Sequence, residues 1–154
     1  MINGKRLYII WKKRYPLILL AFFAHHVLEL VSFEVGDANA FIKSIRFVFP
    51  FEEEVFLSIE KTLNEKGLQD AYKEVVSHLE ALQQSSFLVP VHMANRYARI
   101  NQYDKVIEQV ELGFEVHDQN MPYIGSGFNN LDELFDNPRF LAIIEKLNLP
   151  IPGK

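Results

Sequence analysis

The chain has no cysteine, which removes a disulfide framework, a thiolate metal site and a cysteine nucleophile together. Glycine and proline, seven of each, are too scarce for a fibrous or disordered chain. The apolar run Pro16–Ala24 stops at His25, His26 and Glu29, short of the ~20 residues that a helical membrane span needs. Signature motifs are missing too: there is no nucleophile elbow, no phosphate-binding glycine loop and no metalloprotease motif.

What remains is a globular composition, 49% apolar and 23% charged. Its 154 residues suffice for one domain with its own core. The net charge of −4 is unevenly spread. Residues 1–50 hold seven basic side chains (Lys5, Arg6, Lys12, Lys13, Arg14, Lys43 and Arg46) against three acids, and the remainder holds nine against seventeen. An acidic body is a poor surface for phosphate, so no nucleic-acid partner is expected there.

Gly36, Pro50, Gly67, Pro90, Pro122 and Pro138 divide the chain into stretches of helical periodicity, and none reads as a strand. After Pro50, acids at 52–54 suit the positive end of a helix dipole. Val55, Phe56, Ile59 and Leu63 then form one stripe that Gly67 ends. Ala71, Tyr72, Val75, Val76, Leu79 and Leu82 form the next. Beyond the polar break at 83–86 a second pair is expected over 88–100 and 103–117. A third, shorter pair follows the loop at 123–127, with Asn130 and Asn137 as N-caps, Pro138 at a first helical position and Phe140 as the buried anchor. The expectation is therefore an all-α protein of antiparallel helix pairs, stacked as a short solenoid and closed by a helical cap over 128–149.

Within this frame Ala94, Tyr97 and the run Tyr103-Asp104-Lys105-Val106-Ile107-Glu108 resemble a tetratricopeptide repeat. Pro90, Val106, Gly113 and Asp118 depart from that pattern. The ordered motifs Met121–Ile124, Leu134–Phe140 and Leu147–Pro150 resemble the close of tetratricopeptide arrays in bacterial multidomain signalling proteins. The resemblance covers residues 51–150. It implies a non-catalytic interaction module that needs no cofactor and binds a protein or peptide in a groove lined by the first helix of each pair. Leu88, Val91, Asn95, Ala98 and Arg99 would face that groove. Asn95 matches an asparagine that holds ligand backbone or carboxylate in some members, whereas Val91 replaces the lysine that accompanies it. As ordinary surface residues, Asn95 and Arg99 would have no such role.

The first fifty residues form a separate apolar segment ahead of the repeat module at 51–154. A helix opening at Gly36-Asp37 and ending before Pro50 is expected within it. The stretch Pro16–Ala24 behind Lys12-Lys13-Arg14 reads as a core helix, or alternatively as part of a membrane anchor over residues 7–33. The leading expectation is a cytoplasmic location, with membrane association as the alternative. The five histidines lack companions at ligand spacing, and no metal or catalytic site is expected.

Overall fold

Helix ends in this chain are made by a recurring backbone device. Gly36, Asn101, His117 and Asn148 adopt positive φ between 53° and 75°. Each reverses the chain while two amide N–H groups bond back to carbonyls of the last helical turn. At His117 the pair is His117 N to Phe114 O at 3.4 Å and Asp118 N to Gly113 O at 2.9 Å. Gly67 is different: φ of 91° with ψ of 178° is open only to glycine, and it joins two helices without a linker.

The structure, a computed structural model, describes residues 20–21, 24–125 and 131–151. Among the described residues the protein is all-helical. Helix α1 runs over 24–35, and residues 20–21 are helical as well. It is followed by α2 (Ala38–Val48), α3 (Glu53–Lys66), α4 (Leu68–Gln83), α5 (Pro90–Arg99), α6 (Tyr103–Glu115) and α7 (Pro138–Lys146). One-turn 3-10 helices lie at Met121–Tyr123 and Asp132–Leu134. The chain divides into two compact units, Met1–Ala71 and Tyr72–Lys154, with the division inside α4.

In the first unit, α2 starts where Asp37 accepts from Ala40 N at 3.0 Å. Among the described residues, Leu30, Phe41, Ile45, Val48, Phe56, Ile59 and Ala71 are its buried apolar side chains. Helices α1 and α2 pack as neighbours, with the His25 ring stacked on Phe47 at 4.2 Å. Arg46 ties α2 to α3, donating to Glu53 at 2.8 Å and to Glu60 at 2.9 Å while its guanidinium sits over the Phe56 ring. The fork holds the Glu53 carboxyl below the usual carboxylate range.

In the second unit, α5 and α6 form a close antiparallel pair across the turn Ile100–Gln102. Lys105 on α6 donates to Glu80 on α4, and α7 packs on α6. Gly113 allows a tight approach on α6, since a Cβ there would stand 2.9 Å from Met121 Sδ and 3.5 Å from Pro90 Cβ.

Helix pairs were expected at these places, and the third differs. Among the described residues after the loop, a 3-10 turn at Asp132–Leu134 precedes α7. Pro138 opens α7 as expected and disfavours helical geometry in the residue before it: Asn137 is extended at φ −86°, ψ 122°. The N-cap expected at Asn130 lies outside the described residues, as do Ser126 and Gly127 of the expected loop.

Candidate functional site

Helix α5 begins at Pro90, whose missing N–H costs nothing at a first helical position. Its N-cap Val89 has no side chain able to bond the next free amides. That role passes to Asp118, which follows α6 in the chain. Asp118 Oδ2 accepts from Val91 N at 3.0 Å, and Oδ1 accepts from both Asn120 N and Asn120 Nδ2 at 2.9 Å. A carboxylate at this end also favours the helix dipole. Asp118 thus fixes the start of the helix that carries the expected site.

Of the site residues expected from the sequence, Leu88 is half-buried just before α5. Val91, Asn95, Ala98 and Arg99 fall at steps of four and three along α5, on one face as expected. That face is not open. Val91 is 2% exposed, Ala98 3%, Asn95 6% and Arg99 7%, so Asn95 and Arg99 are not ordinary surface residues.

The same helix buries a second guanidinium, Arg96. Arg96 Nη1 donates to His92 O at 2.9 Å, and Arg99 Nη1 donates to Asn95 O at 2.8 Å, each reaching back one turn. Both cations lie in the last turn of α5, where the dipole is negative. Asn95 Oδ1 is buried without a hydrogen-bond partner. Asn95 thus holds an unmet amide carbonyl on a helix that also buries two guanidinium groups, and such a carbonyl accepts from an N–H donor such as a peptide amide.

No family model matches the chain, and neither does any curated protein or solved structure.

Burial, aided by the Arg96 charge, lowers the His92 pKa, while Asp118 opposes the shift. On the α6 side, Tyr97 is held well above the ordinary phenol range by burial and by Glu80, and the Lys105 ammonium lies 5.2 Å from its ring centroid. The remaining histidines are scattered. His26 stands 3.7 Å from Glu29, His78 is 3.9 Å from Glu74, and His117 shapes a helix end. Among the described residues no three metal-ligating side chains come together.

Sequence reasoning singled out Asn95 and Arg99 through their register and did not single out Arg96 or Asp118. Arg96 follows Asn95 directly, so it leaves the helix about 100° away from the expected groove line. Asp118 meets Val91 across 27 residues, a contact that no local pattern carries.

Proposed function

We propose that the chain is a non-catalytic protein-interaction module of tetratricopeptide type, with α5 as its recognition helix and an extended peptide or partner helix as its ligand. The observation that carries this reading is the buried, unpartnered Oδ1 of Asn95 on the face that also holds Val91, Ala98 and Arg99. A buried acceptor without a donor costs about 1–3 kcal/mol, and a ligand amide would relieve that cost. The low exposure of this face means that the ligand arrives with a local opening, so part of the binding energy is spent on it.

The test is selection of binders from a displayed random-peptide library on the full chain, followed by titration of a selected peptide against Asn95→Ala. The expected outcome is a loss of about tenfold or more in affinity with stability unchanged or slightly raised, because the variant removes an unmet acceptor. Equal affinity for both proteins sinks the α5 assignment. Failure to select any peptide sinks the module reading itself.

A further inference from the structure

The polar residues of α5 share one side of the helix. His92, Asn95, Arg96 and Arg99 follow one another at steps of three, one and three, which at about 100° per residue gathers them within an arc of about 100°. Asn95, Arg96 and Arg99 are buried, and His92 is half-buried. A line of this polarity stays turned inward only while it holds few charges, because each ion withdrawn from water is costly. The two guanidinium groups are permanently charged. His92 is the third basic group on the line, and its charge changes near neutrality.

The surroundings of His92 oppose that charge. Arg96 lies one turn on, with its Nη1 donating to the His92 carbonyl at 2.9 Å, and like charges at this spacing repel. His92 also stands in the first turn of α5, where the helix dipole disfavours a cation. Asp118, from the corner after α6, pulls the other way, but its oxygens already accept from Val91 N at 3.0 Å and from Asn120 N and Nδ2 at 2.9 Å. Burial first and the Arg96 charge second hold the imidazole below its ordinary 6.5. The face is thus closed around a neutral imidazole. Once the face opens to water, His92 regains its ordinary affinity for protons, so acid favours the open form. One pH unit below 6.5 that preference reaches about tenfold at most.

We infer that protonation of His92 opens the buried polar face of α5, so that acidification eases entry of the peptide ligand. The identity of the ligand rests on the peptide-binding reading, whereas the opening is a property of α5 alone.

Two measurements on the full chain test this. The chain has no cysteine, so Asn95→Cys places a single thiol on the face. Its labelling by 4,4′-dithiodipyridine, relative to the urea-unfolded chain at the same pH, is expected to rise about threefold to tenfold between pH 7.5 and pH 5.5. In the His92→Gln background the ratio is expected to stay constant. Ala98→Cys, on the adjoining line, serves if Asn95→Cys unfolds. The affinity of the chain with Asn95 intact for a selected peptide free of His, Asp and Glu is expected to gain by a similar factor over the same interval, and that of His92→Gln to gain nothing. Labelling that does not respond to pH, or responds equally in both backgrounds, overturns the inference even where a peptide binds. So does peptide affinity that is indifferent to pH, or a loss of helical circular dichroism at pH 5.5, since acid then unfolds the chain instead of opening one face. Acid-dependent labelling in a chain for which no peptide can be selected upholds the opening and sinks only the peptide reading.

Discussion

At the scale of single residues, the first turn of α5 brings together Val91, His92 and the carboxylate of Asp118. His92 takes up a proton less readily when folded, chiefly through burial and then through the Arg96 charge. The unfolded chain, near the ordinary 6.5, therefore binds that proton first as pH falls. Stability from this residue is complete above about 6.5 and is lost as pH drops from there toward the folded value. Glu53 and Glu111, each held down by an arginine, act in the same direction but only in the carboxylate range further down. The two windows are separable. We expect the denaturation midpoint to fall between pH 7 and pH 5.5 in the wild type and to stay nearly flat there in His92→Gln. Parallel pH dependence in the two proteins would exclude His92 as the source.

At the scale of elements, the stops are as informative as the helices. His117 is a branched-ring side chain held at φ 56°, a left-handed geometry that costs a non-glycine residue about 1–2 kcal/mol. It is exposed, and its side chain is not required by the two backbone bonds that define the turn. His117→Gly should therefore raise stability by up to about 1 kcal/mol, read as a higher midpoint in urea. A lower midpoint would mean that the imidazole itself holds this corner. Helix ends also explain how much of the architecture was legible beforehand. Gly36, Gly67, Pro90 and Asn137-Pro138 announce their turns by residue type, and α2, α3, α4, α5 and α7 were anticipated from them and from the apolar stripes between them. The buried state of Arg96 and Arg99 was not legible, because a cation on a helix ordinarily reads as a solvated face.

At the scale of the whole molecule, a series of paired helices leaves an apolar face at each end that something must cover. In the unit Tyr72–Lys154, α7 does this for α6. Phe140 is fully buried and meets the Phe135 ring edge-on at 5.5 Å, with Ile143 and Ile144 buried beside it. Around that apolar contact the polar groups fix the register. Asn137 Oδ1 accepts from Arg139 N at 2.9 Å, Arg139 forks onto Glu111 of α6 at 2.8 and 2.6 Å, and the Lys146 ammonium lies 5.4 Å from the Phe114 ring centroid. The surface fork sets direction more than stability, because both partners are largely in water. Burial of the aromatic carries the energy. Phe140→Ala should lower unfolding stability by about 3–5 kcal/mol, while Arg139→Ala should have a much smaller effect. Removing residues 137–154 should expose the α6 face and produce concentration-dependent association, measured by sedimentation velocity. A truncated chain that stays monomeric and unfolds at the same denaturant concentration as the full one would show that α7 is dispensable and that the face it covers is stable in water.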